Sequence, residues 1–142
     1  NSSPFPGEED VCIPSPKGIP FAQVPELNLA QVAERIERGV AEQHDLIVAN
    51  FANGDVIGHT PDRDAKIACA ERVDARRGQV VDAARTAGYA ILVTADHGNL
   101  EQMTNADGTP HVSHTANPVG LLLLDPRAPS CVRDHPDGFP TC

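Results

Sequence analysis

Tyr89-Ala90-Ile91-Leu92-Val93-Thr94-Ala95-Asp96-His97-Gly98 decides the fold of this chain. The run from Tyr89 to Ala95 is short, apolar and bounded, the mark of a buried strand. It ends on a carboxylate, an imidazole and a glycine. Upstream, Gly88 stops a helix predicted over 62–86, with Ile67, Val73, Val80, Val81 and Ala84 among its apolar residues. A loop through Thr60-Pro61 precedes it, and before that Asp45-Leu46-Ile47-Val48-Ala49-Asn50-Phe51 reads as another buried strand. Further back, Asn28 is a plausible N-cap for a helix running to about Glu42. Leu29, Val32, Ala33, Ile36 and Val40 share one face of it, and Glu34, Arg35, Glu37 and Arg38 the other. Strand, helix, strand at this spacing is a βαβ unit, for which right-handed parallel packing is expected. The fold class is therefore α/β with a parallel sheet.

The flanks are less regular. Residues 1–27 form a Pro-rich lead-in containing Pro4, Pro6, Pro14, Pro16, Pro20 and Pro25, a density that forbids a helix and permits short extended pieces such as 11–13. Residues 28–124 form the core. A polar loop over 96–117 leads to a third apolar run, Val119 to Leu124, and residues 125–142 read as an irregular tail.

The chain has 142 residues, room for one ordinary domain. Aromatics are 4 % with no Trp, so the core must be aliphatic. The net charge of −9 repels phosphate backbones and anionic lipid, which argues against nucleic-acid and membrane partners. No apolar run approaches the ~20 residues that span a bilayer. The start, Asn1-Ser2-Ser3-Pro4, has neither Met nor a signal pattern, and suggests a chain that begins mid-sequence. Cys12, Cys69, Cys131 and Cys142 form no Cys-x-x-Cys pair; reduced thiols in a cytoplasmic setting are expected, with a Cys131–Cys142 loop as the minority reading. The Asn1-Ser2-Ser3 glycosylation match is weak for the same reason.

Ligands of parallel sheets bind beyond the carboxyl ends of strands. Those places hold Asn53-Gly54-Asp55-Val56-Ile57-Gly58-His59, then Asp96-His97-Gly98-Asn99, then His111-Val112-Ser113-His114-Thr115, and with them four of the six histidines. Carboxylate oxygen with imidazole nitrogen suits Mn²⁺, Zn²⁺, Fe²⁺ or Co²⁺, and no cysteine joins the cluster. Asp55 and His59 stand four apart, so one helical turn would bring both to one ion. Adjacent Asp96 and His97 need an irregular strand end to converge, which Gly98 permits. Each group alone is usually a surface pair or a loop histidine; three at successive strand ends are not easily read that way. His44 and His135 are read as ordinary histidines, and Arg72, Arg76 and Arg77 as a solvated helix face.

Asn50 to Thr60, Thr94 to Met103 and Pro110 to Val119 resemble the cofactor-independent phosphoglycerate mutases of the alkaline phosphatase superfamily. Pro6-Gly7-Glu8 and Ile13-Pro14-Ser15-Pro16-Lys17 resemble a stretch upstream of that family's metal loops, so the likeness runs from about residue 4 to 127. It implies an incomplete alkaline-phosphatase-like three-layer sandwich and a bimetal enzyme of glycolysis, usually with two Mn²⁺. That enzyme interconverts 3-phosphoglycerate and 2-phosphoglycerate through a phosphoserine. By the resemblance one ion is held by Asp55, His59 and His114. The other takes Asp96 and His97, together with an Asp and the nucleophilic Ser from near the family's N-terminus. His111 aligns with a family His not counted as a ligand.

Gly54 stands where the family usually has Pro, and Val56-Ile57 replace a Met-Val-like pair. The nucleophilic Ser and the arginines that grip substrate find no match here, so the missing N-terminal portion of the same enzyme is the expected partner and the chain alone is expected to be inactive. Two alternatives stand beside this one: a truncated, non-catalytic metal-binding module, and a related metal-dependent phosphatase or phosphodiesterase. An unpaired sheet edge is also expected.

Overall fold

The computed structural model describes residues 4–127, and the expectations for Asn1-Ser2-Ser3, Cys131, His135, Cys142 and most of the tail lie outside them. Three helices, α1 (Leu29–Ala41), α2 (Asn53–Gly58) and α3 (Arg63–Thr86), precede two strands, β1 (Ile91–Thr94) and β2 (Leu121–Leu124). The α/β class holds, and both long helices fall where the sequence puts them.

α3 begins at a true cap: the Asp62 carboxylate accepts from the Ala65 N–H at 2.9 Å. It ends before Gly88, whose φ of +85° is open to glycine at no steric cost. α1 starts without one. The Asn28 side chain makes no cap hydrogen bond and instead donates to the Pro14 carbonyl, tying the lead-in to the helix. α1 and α2 both pack on α3. At the centre of that packing lie Ile57, Ala65 and Cys69, with Ala22, Val73 and Leu100 against them, so the core is aliphatic as the composition requires.

The lead-in is more ordered than its prolines suggest. Phe21–Gln23 form one 3-10 turn, and residues 11–13 form no strand. Glu26 accepts from both Arg72 and Arg76 of α3, each at 3.1 Å. Two of the three arginines read as a solvated face therefore clamp the lead-in; Arg77 pairs with Asp74 on its own helix.

The sheet corrects the expected topology. β1 and β2 pair antiparallel, Ile91 opposite Leu124 and Thr94 opposite Leu121. A parallel pair needs a crossover, commonly a helix. Here the chain between the strands folds back on itself through isolated bridges at Gly98–Thr115 and Thr104–Pro110 and so returns in the opposite direction. Residues 45–51, predicted as the first strand, join no ladder among the described residues. Ile47 turns against Gly39 of α1, while Leu46 and Val48 are 78 % and 85 % exposed. Their short apolar run is that of a buried strand, but a strand assignment needs ladder partners, and among the described residues they have none.

Candidate metal centre

The predicted loop after residue 51 contains α2, and this short helix builds half the site. Asn53 anchors its first turn, donating from Nδ2 to the carbonyls of Pro25 and Glu26 at 3.1 and 2.8 Å. Ile57 is fully buried in the core. Asp55 and His59, one turn apart, remain exposed on the other side. The helical spacing brings His59 Nε2 to 3.1 Å from Asp55 Oδ1.

The third loop supplies His114, whose Nε2 lies 2.8 Å from the same Asp55 oxygen and 3.1 Å from His59 Nε2. Among the described residues Asp55, His59 and His114 form the one group of three that offers ligand atoms to a common point. Ligands about 2.1 Å from an ion and at right angles to one another lie roughly 3 Å apart, so the three edges fit a shared divalent cation. The tautomer of His59 also fits. Its Nδ1 lies 2.8 Å from the Val112 carbonyl, which can only accept, so Nδ1 carries a proton and Nε2 is the nitrogen left to offer an ion beside Asp55.

The Asp96-His97 pair sits alongside. His97 stacks on His114 with ring centroids 3.7 Å apart, and its Nε2 is 4.0 Å from Asp55 Oδ1 and 3.6 Å from Asp96 Oδ2. Its Nδ1 faces the Gly98 carbonyl at 3.3 Å, which leaves Nε2 on the side of the cluster. The Asp96 side chain is 88 % exposed and is not gathered with the other three. His111 stays apart: its carbonyl accepts from Lys66 Nζ at 2.5 Å, and its Nδ1 is buried without a protein partner. Lys66 is itself buried, which lowers its pKa. His44, read as an ordinary histidine, lies near Glu42 and away from the cluster.

Burial acts to raise the Asp55 pKa. The hydrogen bond from His114, the charge of His59 and the amide of Asn99 outweigh it and hold the carboxyl below its usual value. Asn99 and Glu101, not singled out from the sequence, carry much of the polar structure here. Asn99 Nδ2 lies 3.3 Å from Asp55 Oδ1, and Glu101 bridges Asn99, Thr115 and Asn117. Their signal was position: both follow Asp96-His97-Gly98 within five residues. Gly58 permits the approach of Asn99, since a Cβ there would stand 2.0 Å from Asn99 Oδ1.

The likenesses agree with this geometry. A family model described as the metalloenzyme superfamily matches residues 1–136. A 2,3-bisphosphoglycerate-independent phosphoglycerate mutase of Syntrophotalea carbinolica is 49 % identical over 128 residues, 89 % of this chain and 25 % of that protein. The enzyme of the same name from Salinibacter ruber is 43 % identical over 133 residues, 93 % of this chain and again 25 % of the relative. The crystal structure of Leishmania mexicana phosphoglycerate mutase at low cobalt concentration superposes with a TM-score of 0.72 at 31 % identity, covering 81 % of this chain and 24 % of that one. The chain thus spans about a quarter of the length of the relatives it matches. With a family model running over nearly its whole length and a carboxylate–imidazole cluster of Asp55, His59 and His114, this chain belongs to the metalloenzyme superfamily.

Proposed function

We propose that this chain is the metal-loop part of a cofactor-independent phosphoglycerate mutase, working in cytoplasmic glycolysis on the small phosphorylated three-carbon acids 3- and 2-phosphoglycerate. The observation that carries the reading is the convergence of Asp55, His59 and His114 within a chain whose relatives are named for that activity. Residues 28–124 form the core that presents these loops. Asp55 contributes an anionic oxygen, and His59 and His114 contribute neutral nitrogens, a donor set that suits Mn²⁺. Asp96 and His97, beside that group, serve a second ion, with Asp96 turning inward from its exposed position. Divalent ions bound there supply charge to offset the oxygens of a transferring phosphoryl group and to activate an anionic oxygen nucleophile. The chain's own surface bears a net −9 and would otherwise repel such a substrate. The nucleophilic serine belongs to the rest of the enzyme, since the serines here do not match its motif.

A two-stage titration tests this. Calorimetry of the wild-type chain with Mn²⁺ should show uptake, and His114→Ala should remove most of it. 3-Phosphoglycerate should then bind the Mn²⁺-loaded chain and not the metal-free one. A folded wild-type chain that takes up no Mn²⁺ overturns the metal reading. Uptake without 3-phosphoglycerate binding leaves the non-catalytic metal module as the better account.

A further inference from the structure

α2 and the two loops that flank the strands do not touch through the ligand atoms alone. Glu101, on the loop after β1, uses both carboxylate oxygens. Oε2 accepts from the Asn99 backbone N–H at 2.6 Å. Oε1 accepts from the Thr115 hydroxyl and from Asn117 Nδ2, the latter at 3.0 Å. Thr115 directly follows His114, and its own N–H donates to the Gly98 carbonyl at 3.0 Å. One carboxylate thus ties the loop carrying Asp96 and His97 to the loop carrying His114.

The tie reaches α2 through Asn99. This side chain is buried, 6 % exposed, and its Nδ2 lies 3.3 Å from Asp55 Oδ1 and 3.5 Å from the Asp55 carbonyl. Its Oδ1 is buried with no protein partner. An amide left half-satisfied in a buried place carries a cost, and here the satisfied half is the one that faces Asp55. The orientation of the side chain is set by Asp55 on one side and by the hold of Glu101 on its backbone on the other. Gly58 leaves the space this arrangement requires.

We propose that Glu101 is the positioning residue of the metal centre: it fixes the segment bearing His114 and, through Asn99, the orientation of Asp55. The proposal rests on the metal-centre reading above. Its chemistry is specific to a carboxylate. All of the partners found for Glu101 here present donors to it, and a carboxylate can only accept. A glutamine of nearly the same shape must turn an N–H toward one of them. Outer residues that orient metal ligands typically change affinity 10- to 100-fold when altered.

Co²⁺ alone, added to the metal-free 142-residue chain, reads both affinity and ligand geometry through its visible absorption. Glu101→Gln is expected to weaken Co²⁺ binding about tenfold or more and to shift the visible band. Thr115→Val, which removes a single donor, is expected to weaken it less, and Thr115→Ser, which restores the hydroxyl, to recover wild-type affinity and spectrum. That rescue decides the matter should Glu101→Gln fail to fold. If the folded Glu101→Gln protein keeps the wild-type affinity and band, or if Thr115→Ser is no better than Thr115→Val, the positioning role is wrong while the metal centre stands. If the wild-type chain itself takes up no Co²⁺, both readings fall together.

Discussion

Three ligand-type side chains were legible in the sequence because their spacing is local chemistry. Asp55 and His59 need one helical turn, and α2 supplies it. His114 needed the third loop to return to the first, which the resemblance implied and the folded-back chain achieves. Asn99 and Glu101 were not legible, since their partners are set by contacts between loops that no single segment encodes. Glu101 also gives the centre a dependence on acid. The hydroxyl of Thr115 does most to lower its pKa; burial opposes, and Asn117 and nearby backbone N–H groups add to the lowering, so that it stands at about 2 against 4.5 for the free side chain. A carboxyl with a depressed folded pKa adds stability that is fully present above its unfolded pKa and is lost as pH falls through the folded one. Thermal melting of the metal-free chain should therefore lose a Glu101-dependent part of its stability between about pH 4.5 and about pH 2. Glu101→Gln should flatten the curve in that window. Identical slopes for the two proteins would show that the carboxylate is not held as the structure has it.

At the scale of elements, α1 and α3 are legible almost to the residue, because the helical spacing of α1 and the Gly88 stop after α3 are local signals. α2 was missed: it is six residues long and contains two glycines, so no periodic pattern can develop. The strand at 45–51 was over-read for the opposite reason, since its pattern is present but its partners are not. Helix starts separate in the same way. Asp62 and Asn28 are both good capping residues by type, yet only Asp62 accepts the capping hydrogen bond. Asp62→Ala should cost about 1 kcal/mol of stability in urea unfolding. Asn28→Ala should cost less, because it breaks a tie to Pro14 and no cap. Equal losses from the two would remove the distinction drawn between them.

Over the described residues, one face of the two-stranded sheet is half-buried and the other is open, and much apolar surface is left exposed. Leu92, Leu121 and Leu123 are exposed on the strands, and Leu46 and Val48 on the segment beside α1. Exposed apolar side chains beside an open strand edge make a site for association. Leu46→Lys combined with Val48→Lys should reduce self-association in light scattering at rising concentration. The same change should leave unfolding free energy within about 0.5 kcal/mol, as for other exposed positions. Unchanged scattering, or a large loss of stability, would show that these side chains are engaged in the fold. One more consequence follows from α2. A single six-residue helix carries Ile57 into the aliphatic core and Asp55 on its outer side, with His59 capping its end, so no compliant joint separates packing from ligation. Any rattling of Ile57 against Cys69 is passed undamped to the Asp55 oxygen. The sharpness of a bound ion's spectrum is accordingly a gauge of how tightly a handful of aliphatic side chains is packed beneath it.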